Sequence, residues 1–258
     1  LTAFAMDLSH FEQIELRRRV DFSDDLAVFQ FELEEPLSFT PGQYATVGLI
    51  GDGNERPILR PYSVVSAPHE PALELFVELV EGGALTSHLW DANLGDTFWI
   101  RRKIVGRFVL DDTTHQHVMV ATVTGVSPYI SIVRDQVRAL ERGALDTPHE
   151  ILILHGASRS WELGTYLDEL REISAAHDWL TYVPTVSRPW EDPDWTGEVG
   201  RVEDVIRKHV DRVGFAPESA AAYTCGHPEM IDKAQGIFQR ARFSEDAIRE
   251  EKYFVVRN

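Results

Sequence analysis

Arg60-Pro61-Tyr62-Ser63-Val64-Val65-Ser66 follows a loop of small polar residues, Gly51 to Asn54, and reads as a β-strand that opens on a charge and an aromatic ring. Strand alternation puts Arg60, Tyr62 and Val64 on one face and Pro61, Ser63 and Val65 on the other. Arginine offers a planar fork of donors suited to a phosphate. Tyrosine offers a flat apolar face with a polar tip, and serine a hydroxyl that donates or accepts. A twisted strand edge with this order can place a phosphate clamp, a ring platform and a hydroxyl along one elongated ligand. The same residues also fit an ordinary strand with a solvated arginine and tyrosine.

On either side of this stretch the chain reads as antiparallel β. Glu12 to Val20 and Leu26 to Leu33 are strand-like, with the polar turn Asp21 to Asp25 between them. In Phe39-Thr40-Pro41-Gly42-Gln43-Tyr44, Pro41 presets φ and Gly42 permits a positive φ, so the segment turns into a strand from Tyr44 to Leu49. Leu73 to Val80 alternates apolar and polar residues, breaks at Gly82-Gly83, and gives way to a short helix from Ala84 to Trp90. The hydroxyls of Thr86 and Ser87 in its first turn suit an anion, or simply cap a helix that closes the barrel. Gly95-Asp96 precedes a strand from Thr97 to Ile100. Short strands at this spacing predict a small closed antiparallel barrel. The run Arg101, Arg102, Lys103 with Arg107 is a local basic cluster.

From His117 the period changes. Apolar runs at His117 to Thr122, Glu150 to His155, Leu180 to Pro184 and Ala220 to Cys225 read as buried parallel strands. Helical stretches at Tyr129 to Glu141, Trp161 to Ala176, Val202 to Val210 and Pro228 to Arg240 alternate with them. This predicts an α/β doubly wound domain with ligands at the carboxyl ends of its strands. Thr124-Gly125-Val126-Ser127-Pro128, between a strand and a helix start, suits a pyrophosphate. Ser158, Arg159, Arg188 and Arg201 lie at or near further strand ends, where arginines with hydroxyls suit a phosphorylated ligand such as the 2′-phosphate of NADP. The expected domains are residues 1–112 and 113–258.

Composition removes other classes. The 258 residues carry 25 basic and 42 acidic side chains, a net charge of −17, which argues against nucleic-acid binding. A single cysteine, Cys225, excludes an internal disulfide and a cysteine-ligated iron–sulfur cluster within this chain. The ten histidines show no zinc-site spacing, so no metal is expected. No apolar run reaches the roughly 20 residues of a membrane span. Leu1 to His10 lacks a signal-peptide pattern, and a cytoplasmic protein is the expectation.

Six pieces, in order over the whole length, resemble the bacterial-type ferredoxin–NADP reductases. They are the Phe39-x-Pro-Gly-Gln-Tyr turn, Arg60-Pro-Tyr-Ser, Gly82-Gly83 through Thr86-Ser87, Thr124 to Pro128, Cys225-Gly226-His227-Pro228-Glu229-Met230, and Glu251-Lys252-Tyr253-Phe254. The family's nucleotide loop commonly reads Thr-Gly-Thr-Gly-Ile-Ala-Pro; Val123 stands at its first glycine and Ser127 at its alanine. The family often has an arginine where Ser158 stands; here the arginine is one place later.

The resemblance implies an antiparallel β-barrel FAD-binding domain followed by an α/β doubly wound NADP-binding domain, with FAD and NADP(H) as cofactors. It places Arg60 on the FAD phosphate, Pro61 and Tyr62 at the flavin, and Ser63 on the reactive flavin nitrogen. Leu79, Val80, Gly83, Leu85, Thr86 and Ser87 would hold the ribityl chain and pyrophosphate. Thr124 and Gly125 would hold the nicotinamide dinucleotide's pyrophosphate, and Ser158, Arg159, Arg188 and Arg201 its 2′-phosphate. Ser63, Cys225, Glu251 and Tyr253 would surround the reacting atoms. Tyr253 would cover the flavin face and move aside for nicotinamide, with Phe254 near the adenine of FAD.

The implied activity is hydride transfer between NADP(H) and flavin, and single-electron transfer to ferredoxin or flavodoxin, by a monomer whose basic cluster attracts the acidic carrier. Two other readings stand beside it. One is the reductase component of an oxygenase or a free-flavin reductase; the other is a non-catalytic nucleotide-sensing subunit.

Overall fold

A computed structural model describes residues 7–51 and 56–252. Six antiparallel strands form the first unit: β1 (Phe11–Ser23), β2 (Leu26–Glu32), β3 (Tyr44–Leu49), β4 (Ile58–Ser63), β5 (Ala72–Glu78) and β6 (Thr97–Arg101), in the order β4-β3-β6-β1-β2-β5. The Val65 N–H donates to the Glu74 carbonyl at 3.0 Å, carrying the chain from the β4 edge towards β5 so that the barrel is nearly closed. Full closure removes the exposed edges that antiparallel sheets otherwise carry. The interior packs Leu16, Phe29, Phe31, Val47, Leu75 and Phe98.

The strand expected from Arg60 starts two residues earlier, because Ile58 already pairs with Leu49, and it ends at Ser63. Pro61 sits opposite Thr46 on this edge strand, where a missing N–H is tolerated. At Gly42, φ is +97° and a Cβ would run into the Phe108 carbonyl, so the turn needs glycine. The short helix begins at Thr86 rather than Ala84: α1 spans Thr86–Asp91.

The second unit is a six-stranded parallel sheet of β7 (Gln116–Thr122), β8 (Glu150–Ala157), β9 (Leu180–Val186), β10 (Glu198–Val199), β11 (Ala220–Gly226) and β12 (Ile248–Lys252), ordered β10-β9-β8-β7-β11-β12. The order reverses between β7 and β11, the switch point at which such sheets bind ligands. Four helices cover it: α2 (Ser127–Glu141), α3 (Tyr166–Ala176), α4 (Val202–Val213) and α5 (Pro228–Arg240). Ile206, Val210, Met230, Ile231 and Phe238 of α4 and α5 fill one face.

The other face continues into the barrel. Val65, Phe76 and Phe108 share one core with Tyr129, Tyr166 and Tyr223. Phe108 stacks on Tyr129 at 5.9 Å and meets Tyr223 edge-on at 5.6 Å. Arg134 on α2 adds ion pairs to Glu70 and Glu74 of the barrel side and to Glu169 on α3.

Two further expectations differ from the structure. The helix expected from Trp161 is a 3-10 turn, Ser160–Leu163, broken by Gly164 at φ 64°, before α3 starts at Tyr166. β10 forms where the sequence reads as a loop, since two residues are too few to show a period.

Candidate functional site at the barrel–sheet junction

The β4 edge of the barrel faces the end of β12. Ser63 is buried at the end of β4, and its hydroxyl donates to Glu251 Oε1 at 2.5 Å. Burial raises the Glu251 pKa above the ordinary glutamate range, and the Ser63 hydrogen bond opposes that rise. Glu251 pairs with Cys225 across the parallel β11–β12 ladder, and Cys225 is fully buried. Gly125 closes the group: a Cβ there would run into the Cys225 carbonyl, so only glycine lets the loop after β7 approach the end of β11. Ser63, Glu251, Cys225, Thr124 and Gly125 therefore converge from four separate parts of the chain: β4, the loop after β7, β11 and β12.

A cleft of about 480 Å³ opens beside them, lined by Arg107, Phe108, Arg249, Glu250 and Glu251. Arg249 donates to the Val109 carbonyl and to Asp111 Oδ2, each at 2.6 Å, and its guanidinium lies 5.7 Å from the Tyr223 ring centroid. Hydrogen bonds from Thr113, and then the Arg249 charge, hold the Asp111 carboxyl below the ordinary range. Arg249 and Glu251, two residues apart on one strand, share a face. That spacing is a signal for Arg249, which sequence reading passed over.

The loop after β7 has its own fastening. Val123, at the position where glycine is expected, has φ 45°, a conformation rare for a β-branched residue. His155 of β8 is fully buried, with Nε2 at 2.9 Å from the Val123 carbonyl and Nδ1 at 3.1 Å from the Tyr182 hydroxyl. Desolvation pushes the His155 pKa down to about 4. A neutral imidazole donating from Nε2 and accepting at Nδ1 satisfies both contacts. Ser127 donates to the Thr124 carbonyl at 2.7 Å and starts α2.

The remaining expected residues lie as follows. Arg60 is exposed, and among the described residues its guanidinium is bonded only to the adjacent Leu59 carbonyl, at 2.8 Å. Tyr62 is half-buried, and burial pushes its pKa up to about 12. Leu79 and Val80 follow β5; the Leu79 N–H donates to the Asp25 carbonyl, and Val80 is tied through the Thr86 hydroxyl at 3.3 Å. The Ser87 hydroxyl donates to the Gly83 carbonyl at 2.9 Å, and Leu85 is buried in the barrel core. A Cβ at Gly83 would meet Thr86 Oγ1 and the Val80 carbonyl, so this tight turn needs glycine. An exposed guanidinium and a half-buried phenol ring on one strand fit a phosphorylated flavin.

The arginines at the other strand ends are engaged within the protein. Arg159 pairs with Glu162 at 2.9 Å and with Glu191, Arg188 lies 3.8 Å from Glu191, and Arg201 lies 3.9 Å from Glu203. Tyr253 and Phe254 lie outside the described residues. The basic cluster is partly paired as well, with Arg102 reaching Glu12 at 3.0 Å and Glu35 at 3.2 Å.

Comparison with known proteins agrees with this architecture. Residues 13–108 match the oxidoreductase FAD-binding domain family, and residues 119–236 match the oxidoreductase NAD-binding domain family. Ferredoxin–NADP reductase of Pseudomonas aeruginosa is 30% identical over 232 residues, spanning 84% of this chain and 84% of that protein. The chain belongs to the ferredoxin–NADP reductase family. It is accordingly an oxidoreductase with a FAD-binding barrel and an NAD(P)-binding sheet domain.

The reductase component DmpP of phenol 2-monooxygenase from Pseudomonas sp. CF600 is 33% identical over 241 residues. That match covers 92% of this chain and 64% of the longer protein, so the chain spans under two thirds of that relative. A solved ferredoxin NADP+ reductase from Neisseria gonorrhoeae superposes with a TM-score of 0.81 at 22% identity, covering 95% of this chain and all of that one, which shows the shared fold. Among the described residues no cluster of side chains fits a metal ion, and no helix is long and apolar enough to cross a membrane.

Proposed function

We propose that this chain takes electrons from a reduced nicotinamide dinucleotide and delivers them singly to a ferredoxin or flavodoxin. The observation that carries the reading is the contact of Ser63 with Glu251. It joins the flavin-motif strand of the barrel to the last strand of the nucleotide domain beside the switch point. Bound FAD would supply the conversion between a two-electron hydride and single electrons.

The chain's own residues do the rest. Arg60 and the Gly83–Ser87 turn would anchor the cofactor's phosphates, and Tyr62 would support its ring. Thr124 and Gly125 would receive the dinucleotide's pyrophosphate at the start of α2. Ser63 and Glu251 hold one proton between two oxygens next to the reacting centre. The buried Cys225 shapes the floor below them. In this reading the two domains divide near residue 112, Tyr253 gates the flavin face, and the protein acts as a cytoplasmic monomer.

A second reading has a specific observation behind it. The identity to the phenol 2-monooxygenase reductase component supports service as the reductase component of an oxygenase. Reduction of cytochrome c, measured with ferredoxin, with flavodoxin and with neither, separates the two. Carrier-dependent reduction supports the first reading. Rapid reduction of ferricyanide with no gain from either carrier favours the second.

A further inference from the structure

Just beyond β8, Ser158, Arg159 and Ser160 present three successive backbone amides at the carboxyl edge of the parallel sheet. The turn that follows, Ser160–Leu163, lies against the pyrophosphate turn Val123–Val126. In a doubly wound fold this is where the adenosine ribose of a dinucleotide arrives. Free amides beside arginines would welcome a 2′-phosphate there. In this chain carboxylates have taken the places.

Glu162 Oε2 accepts from the Ser158 N–H at 2.7 Å and the Arg159 N–H at 3.2 Å, and Asp192 Oδ2 accepts from the Ser160 N–H at 2.7 Å. The Arg159 guanidinium forks onto Glu162 Oε1 and Glu191. Arg188 turns towards the same Glu191, and Arg201 towards Glu203, which is also bound by Lys233 at 3.0 Å. The three guanidiniums are therefore paired with Glu162, Glu191 and Glu203, with Lys233 also on Glu203 and Asp192 on a backbone amide, so four cations stand among four carboxylates and the neighbourhood is not a positive pocket.

We infer that Glu162 and Glu191 set coenzyme specificity by accepting the adenosine 2′-hydroxyl and opposing a 2′-phosphate, so that NADH is used in preference to NADPH. The inference rests on the reductase reading and names its electron donor. A ribose hydroxyl has a proton to donate to a carboxylate, and the fold's usual partner for it is an acidic residue. A phosphate carries a charge of about −1.5 to −2 at neutral pH and adds no such donor. To bind it, Arg159 must leave two carboxylates, which would then face the new anion with their charge less well compensated. Trp161 and Trp190, 43% and 72% exposed, follow Arg159 and Arg188 closely in the chain and offer flat faces to a purine.

The test uses the FAD-loaded chain. Calorimetry compares 5′-ADP with 2′,5′-ADP, and ferricyanide reduction compares NADH with NADPH. The expected results are 5′-ADP binding at least as tight as 2′,5′-ADP, and a kcat/KM for NADH roughly 10-fold or more above that for NADPH. Glu162→Gln and Glu191→Gln should each shift both ratios towards the phosphorylated ligand by about 5-fold. Among the described residues Glu191 accepts no backbone amide, so its variant keeps the test intact if Glu162→Gln fails to fold.

Tighter binding of 2′,5′-ADP by the unaltered chain, or ratios that stay fixed in Glu191→Gln, would overturn the assignment. Discrimination in favour of 5′-ADP without turnover of either dinucleotide would uphold it and remove the electron-transfer reading instead.

Discussion

The Ser63 hydroxyl reaches the Glu251 carboxylate across 2.5 Å, joining residues 188 positions apart in the chain. One belongs to the edge strand of the barrel and the other to the last strand of the parallel sheet. No local propensity produces such a contact. It exists because the aromatic core around Phe108, Tyr129 and Tyr223 fixes the two sheets against each other.

Removing this hydroxyl should slow the chemistry more than it weakens nucleotide binding. For Ser63→Ala we expect a fall in kcat of about 10-fold or more with a small change in KM, because positioning beside the reacting centre is lost. Stopped-flow reduction of the FAD-loaded variant checks the rate, and its melting temperature checks that the fold is retained.

Acidity at Glu251 gives a signed pH prediction. Burial keeps the carboxyl protonated to higher pH than an ordinary glutamate, and the Ser63 hydrogen bond pulls the other way. The pH profile of kcat/KM should therefore show an ionisation above the usual glutamate range. It should move to still higher pH in Ser63→Ala and disappear in Glu251→Gln.

His155 should remain neutral throughout the physiological range. Its pKa of about 4 in the folded chain lies below the unfolded value of about 6.5. A depressed histidine contributes stability in full above the unfolded pKa, and the contribution is lost as pH falls from about 6.5 to 4. The loss is on the order of 3 kcal/mol. Imidazole NMR signals that titrate near pH 6.5 at His155 would contradict this.

Strain at Val123 is measurable. With φ at 45°, a β-branched residue stores roughly 1–3 kcal/mol. Glycine removes that strain but costs about 0.5–1 kcal/mol in chain entropy. Both Val123→Gly and Val123→Ala lose the side chain's packing on the shared core, so the strain should show as Val123→Gly being the more stable of the two by about 1 kcal/mol in denaturant titrations.

Arg134 should matter to the barrel–sheet junction. It is mostly buried among Glu70, Glu74 and Glu169, and Tyr166 donates to Glu74 at 3.0 Å. Arg134→Met would leave several carboxylates without their cation, at a cost of about 3 kcal/mol. Urea unfolding monitored by tryptophan fluorescence would register it.

Much of the architecture is legible in the residues. The strand-like runs set between turns, such as Leu26 to Glu32, and the apolar run from Val118 to Ala121 announce a barrel and a buried parallel sheet, because turn spacing and run composition separate the two. The Ser63–Glu251–Cys225 grouping was approachable only through motif order, since pairing between distant strands leaves no local trace. The carboxylates around Arg159 were hidden for another reason. Arginine at a strand end reads as a phosphate ligand until the turn carrying Glu162 and the segment carrying Glu191 are folded over it. Val123 stood at a glycine position, but the buried histidine that anchors its carbonyl lies 32 residues away.

The most direct test of the reductase account is the visible spectrum of the purified protein followed during anaerobic addition of NADH and of NADPH. The account predicts a bound flavin that bleaches within the time of mixing on addition of reduced dinucleotide, and a slower bleaching in Ser63→Ala. A protein that binds no flavin, or whose flavin neither dinucleotide bleaches, would contradict it.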